Sequence, residues 1–96
     1  MPAYVTALVT VTNRAEILTY AKQVDATVAQ HGGRFLVKGG PVAEVFEGDL
    51  RPHTVTILEF PTLEKAQAWY RSPEYGNIIH HRQQAGSSQV ILFQQP

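Results

Sequence analysis

Cysteine is absent from the 96 residues, so neither a disulfide framework nor a thiolate metal site is available to this chain. Neither sign of charge dominates: eight Lys and Arg stand against eight Asp and Glu. The basic residues, from Arg14 and Lys22 to Arg71 and Arg82, are scattered. That removes the electrostatic footprint needed to hold a nucleic-acid backbone or an anionic lipid surface. No apolar run has the length of a bilayer span. The opening Met1-Pro2-Ala3-Tyr4-Val5-Thr6 has no basic flank and is interrupted by threonine. A cytoplasmic protein with no membrane and no nucleic-acid partner is expected. Metal-ligand spacing is missing too. His80 and His81 are adjacent, which on a helix turns their side chains about 100° apart, and His53 stands alone in a turn. Gly39-Gly40-Pro41 opens no helix and so makes no phosphate loop, and nothing local selects a haem-ligating histidine. No metal and no cofactor are expected.

What is present reads as one small α+β domain over residues 1–96. Tyr4 to Thr12 alternates, with Val5, Ala7, Val9 and Val11 on one side and Tyr4, Thr6, Leu8 and Thr10 on the other. Asn13 is placed to cap a helix, with Glu16 in its first turn and Ile17, Ala21, Val24 and Val28 as its apolar stripe. Gly32 and Gly33 stop that helix. Phe35 to Lys38 begins a second strand, kinked at Gly39-Gly40-Pro41 and resuming from Val42 to Phe46. A turn over Glu47 to Pro52 leads to a third strand, Thr54 to Phe60. Thr62 caps a second helix bearing Leu63, Ala66, Trp69 and Tyr70, and Ser72-Pro73-Glu74 starts another segment running towards Gln83. A turn at Gly86-Ser87 then leads into a last strand, Gln89 to Gln94. This order predicts a ferredoxin-like βαββαβ sandwich, a four-stranded antiparallel sheet with helices on one face.

Such an arrangement leaves the other sheet face without cover, and that face is apolar. Tyr4 and Leu8 lie on it. Leu58 and Phe60 join them if the third strand keeps Val55 and Ile57 under the helices. A soluble monomer seldom exposes a patch of this kind. Pairing with the same face of a second copy, an isologous homodimer, covers it.

The segments His31-Gly32-Gly33-Arg34-Phe35, Gly39-Gly40, Glu44 and Gly48, followed by Glu59-Phe60-Pro61, Ala66, Trp69-Tyr70 and Ser72-Pro73-Glu74-Tyr75, together resemble the family called domain of unknown function 1330. The likeness covers nearly the whole chain. It implies a dimeric α/β barrel, in which two ferredoxin-like sheets face each other. That superfamily includes cofactor-free monooxygenases, small-molecule isomerases and lyases, and haem-dependent members. The family has no agreed catalytic residues, so none transfer.

Candidate chemistry comes from the residues themselves. Arg34 could hold a substrate carboxylate with its planar fork, or pair with Glu44 or Glu59 to fix the strand ends. Glu59 interrupts an apolar strand, where desolvation would suit a general base and an ion pair would suit structure. His31 ends the first helix, as a cap or as an acid–base group. Trp69, Tyr70 and Tyr75, with Tyr4 and Tyr20, could wall a pocket for a small planar compound or pack helix against sheet. Two functions are therefore carried forward. One is a homodimeric binding protein or cofactor-independent enzyme for a small hydrophobic or carboxylate-bearing ligand. In it Arg34 anchors the anion, Glu59 or His31 moves protons, and Trp69, Tyr70 and Tyr75 form the wall. The other is a non-catalytic dimeric structural or interaction module.

Overall fold

A computed structural model describes residues 1–96. Along the chain run β1 (Ala3–Val11), α1 (Arg14–Gln30), β2 (Arg34–Pro41), β3 (Thr54–Phe60), α2 (Leu63–Tyr70), α3 (Pro73–Gly76), α4 (Ile79–Ala85) and β4 (Gly86–Gln94). The strands form one antiparallel sheet in the order β2-β3-β1-β4, which is the ferredoxin-like arrangement of two interleaved βαβ units.

Local chemistry explains the element ends. Asn13 accepts the Glu16 N–H at 3.2 Å, Thr62 that of Lys65 at 3.2 Å, and Ser72 that of Tyr75 at 3.2 Å, so each cap satisfies a donor the helix leaves free. The end of α1 is closed by paired bonds from Gly32 N–H to the Ala29 carbonyl and from Gly33 N–H to the Val28 carbonyl, with Gly32 at φ 75°. The segment expected to run from Ser72 towards Gln83 breaks at Asn77-Ile78 into α3 and α4, and two boundaries also differ from expectation. The kinked strand does not resume: β2 ends at Pro41, and beyond it a single bond from Val42 N–H to His53 carbonyl precedes an irregular loop. Proline removes the ladder donor there, and the register has already slipped twice between Phe35 and Gly40. Gly86, expected as a turn, already belongs to β4 opposite Val11. A Cβ at Gly86 would overlap the Thr10 carbonyl, so only glycine admits this close approach.

Register decides which side chains meet the helices. Val5 lies between Leu58 and Leu92, and Ala7 between Thr56 and Val90. Ala3, Val5, Leu58 and Phe60 pack with Val24, Val28, Ala66, Trp69, Tyr75 and Ile78 as the core. Leu58 and Phe60 are thus beneath the helices, 4% and 0% exposed, which corrects their expected place on the bare face. Val55, Ile57 and Glu59 occupy that face instead, beside Tyr4, Thr6, Leu8, Ile91 and Phe93. Within the single chain it is only partly covered: Ile91 and Phe93 are about half exposed, while Leu50 to Pro52 lie beside Leu8. No helix is long and apolar enough to cross a membrane.

Candidate functional site

Between α1 and the sheet lies a cavity of about 110 Å³. Its floor is Val5, Ala7, Val9, Thr56, Leu58 and Val90, its roof Ile17, Tyr20, Ala21 and Val24, and its inner wall Trp69 and Tyr75. The space exists because Ala7 in the sheet and Ala21 in α1 each supply only a methyl group where a longer side chain would fill the layer. At the rim, Lys38 reaches from β2 to α1, donating to the Ala21 carbonyl at 3.2 Å and pairing with Asp25. No Asp or Glu lines the cavity.

Apart from Thr54, Thr56 and the rim Lys38, its polar side chains form one cluster. The hydroxyls of Tyr20 and Tyr75 are hydrogen-bonded at 2.8 Å, and Arg82 Nε donates to the Tyr75 oxygen at 3.2 Å. The same guanidinium donates through Nη1 to Ser88 and through Nη2 to the Tyr70 hydroxyl at 3.4 Å. Arg82 is 6% exposed, yet it has no carboxylate partner. The ion pairs of the chain are Arg34–Glu59, Lys38–Asp25 and His81–Glu16. Burial raises the Tyr20 pKa well above the ordinary phenol range, and Tyr75 beside it adds to the shift, so Tyr20 stays a neutral hydroxyl. For Arg82 burial works against the charge, but the oxygens of Tyr75, Tyr20 and Tyr70 more than offset it and its pKa is raised. The site therefore holds a permanent cation in an apolar, partly water-excluded setting.

The structure brings together Trp69, Tyr70 and Tyr75 of the expected residues. Trp69 and Tyr75 pack at 4.3 Å between ring centroids with their planes tilted by 44°, and Tyr70 lies against Tyr75 at 5.4 Å. Trp69 Nε1 donates to Thr27 Oγ1 at 3.0 Å, which fixes the ring. Arg34 and Glu59 are elsewhere. They pair at 2.8 Å across β2 and β3, on the face away from the cavity, above a shallow hollow beside Pro2, Gly32 and Pro61. His31 sits at the end of α1 with Nδ1 3.1 Å from the Thr27 carbonyl, outside the cavity lining. No three His, Asp or Glu side chains gather at a point where they could hold a metal ion. Tyr20, named in the aromatic set, does line the cavity, while Arg82 is the member that sequence reasoning missed. The signal was available: Tyr75, Ile78, Arg82 and Ala85 follow helical spacing, so the arginine falls on a buried stripe.

Comparison with known proteins places this geometry in context. The family model described as a domain of unknown function, DUF1330, matches residues 2–96. The chain matches no curated protein sequence. Among solved structures, a protein of unknown function from Rhodopseudomonas palustris superposes with a TM-score of 0.78 at 22% identity, covering 99% of this chain and 84% of that one. A dimeric ferredoxin-like protein of unknown function from Jannaschia sp. CCS1 gives 0.73 at 13% identity, covering 99% and 100%. SnoaB from Streptomyces nogalater, a cofactor-independent oxygenase, gives 0.68 at 18% identity, covering 99% and 92%. Identities this low establish the shared fold alone. The family match spans nearly every residue, and on it the chain belongs to the domain of unknown function 1330 family.

Proposed function

We propose that this chain is a homodimeric small-molecule-binding protein with one pocket per subunit, suited to cofactor-independent chemistry, between the sheet and α1. The observation that carries this reading is the convergence of Tyr20, Tyr75 and Arg82 on a mainly apolar cavity. Apolar walls with a few aimed polar groups are the general form of a ligand site. Trp69 and Tyr75 serve as the wall and Tyr70 as a flanking ring, while Arg34, Glu59 and His31 lie outside it. The homodimer is supported by the bare face carrying Tyr4, Leu8, Val55, Ile57, Ile91 and Phe93, and by structural neighbours described as dimeric. The neighbouring oxygenase supports the choice of chemistry: the one phenol O–H left free by the Tyr20–Tyr75 bond and a cation can stabilise negative charge developing on a substrate oxygen without a bound cofactor. The Arg34–Glu59 pair is what the alternative, a purely structural module, would also display; the lined cavity favours binding.

Trp69 is the one tryptophan and lines the cavity, so its fluorescence reports occupancy. A panel of small neutral and charged aromatic and aliphatic compounds should include members that change it saturably. Ala21→Leu, which fills the space, should abolish the response, and Glu59→Gln, on the opposite face, should not. A panel that leaves both the fluorescence and the melting temperature unmoved would reject the binding reading.

A further inference from the structure

Arg82 is the element of the site whose surroundings remain unbalanced. Burying a guanidinium is costly unless its charge and its donors are met. Its donors are met only in part: of the five N–H groups a guanidinium carries, three have protein partners, Tyr75, Ser88 and Tyr70. Its charge has no ionic counterpart, since those three partners are hydroxyls and no carboxylate pairs with it. The side chain also lies between two spaces. On one side is the apolar cavity. On the other is an open hollow bounded by Tyr70, Gln83, Ser87 and Ser88. Arg82 and Val90 line both spaces, so an anion held by the guanidinium stands where the two meet. The second cation at the cavity, Lys38, is already paired with Asp25, so one negative charge is what the site can balance.

We propose that the site takes a short monocarboxylic acid, its carboxylate on the Arg82 fork and its apolar body in the cavity against Trp69 and Val90. This rests on the pocket reading given above and narrows it to one ligand class. A cavity of 150 Å³ accommodates benzene; at about 110 Å³ this one suits a body of about four to six carbons. The hydroxyls of Tyr20 and Tyr75 stand where they orient the carboxylate, or an oxygen next to it, without adding charge.

The test uses matched pairs that differ only in charge: benzoate against benzamide, and hexanoate against hexanamide, titrated into the wild-type protein at neutral pH with Trp69 fluorescence as readout. Carboxylates should bind at least about tenfold more tightly than their amides, as a charge-assisted fork predicts. Arg82→Met should remove that preference. The Arg82 Nε–H resonance of the wild-type protein should shift with benzoate and not with benzamide, which locates the anion even if the variant fails to fold. Equal binding of acid and amide, or binding of amides alone, overturns the monocarboxylate assignment and leaves the pocket standing. Failure of all four compounds together with the broader neutral panel overturns both.

Discussion

Removing one oxygen from the centre of the buried network should cost more than removing one from its edge. Tyr75 Oη is the hub: it meets Tyr20 at 2.8 Å and Arg82 Nε at 3.2 Å. Tyr75→Phe keeps the ring packed against Trp69 but strands two polar groups at once, one of them on a cation. A buried group left without its partner costs about 1–3 kcal/mol. Two groups, relieved in part by relaxation, give a loss of about 2–3 kcal/mol. For a domain of this size that lowers the melting temperature by about 10–20 °C. Tyr20→Phe removes a peripheral hydroxyl and leaves Tyr75 with Arg82, so its loss should be about 1 kcal/mol. In the double variant the stranded Tyr20 hydroxyl is gone, so Tyr20→Phe should cost less in the Tyr75→Phe background than in the wild type. Urea unfolding followed by far-UV circular dichroism, at one protein concentration, measures all three. A Tyr75→Phe variant within 0.5 kcal/mol of wild type, a margin of about the usual additivity error, or a Tyr20→Phe variant that loses more than Tyr75→Phe, would refute the hub.

The raised Tyr20 pKa carries a pH dependence of definite sign. The unfolded chain releases the phenol proton near pH 10 and the folded one only higher, so stability from this group is full below about pH 10 and lost as pH rises beyond it; Tyr20→Phe should flatten that alkaline limb in pH-dependent melts, and an unchanged limb would refute the burial argument. Gly86→Ala should destabilise by about 2–4 kcal/mol because the new methyl meets the Thr10 carbonyl. By contrast Gly76→Ala, with open space around it, should change stability by less than about 1 kcal/mol in the same denaturation assay. Leu8→Asp, on the bare face, should reduce the mass measured by light scattering from about two chains to one without loss of secondary structure; an unaltered dimer would place the interface elsewhere.

Much of the fold could be read before any coordinates. Asn13, Thr62 and Ser72 accept the helix donors their spacing predicted, and the strand–helix order matched the sheet observed. The third strand misled because both of its sides are apolar enough to be inner. Thr54, Thr56, Leu58 and Phe60 compete with Val55, Ile57 and Glu59. Glu59 held the answer: a carboxylate shares its side with Val55 and Ile57, and the side facing water or a partner accommodates it at less cost than the core does. The site was less legible because it depends on contacts remote in the chain. Tyr20 and Tyr75 are 55 positions apart, and only the packing of α1 over α3 makes them one group. Arg34 and Glu59 meet each other across neighbouring strands, as the ion-pair alternative for them had it, and leave the interior to a different arginine.

The last strand has a consequence of its own. Ser88 and Val90 touch the guanidinium and the cavity, while Gln89, Ile91 and Phe93 point to the opposite side of the same ribbon. A ribbon one peptide thick cannot tilt on one side alone. A guest in the proposed pocket and a second copy on the bare face would therefore stand back to back, separated by a single layer of backbone.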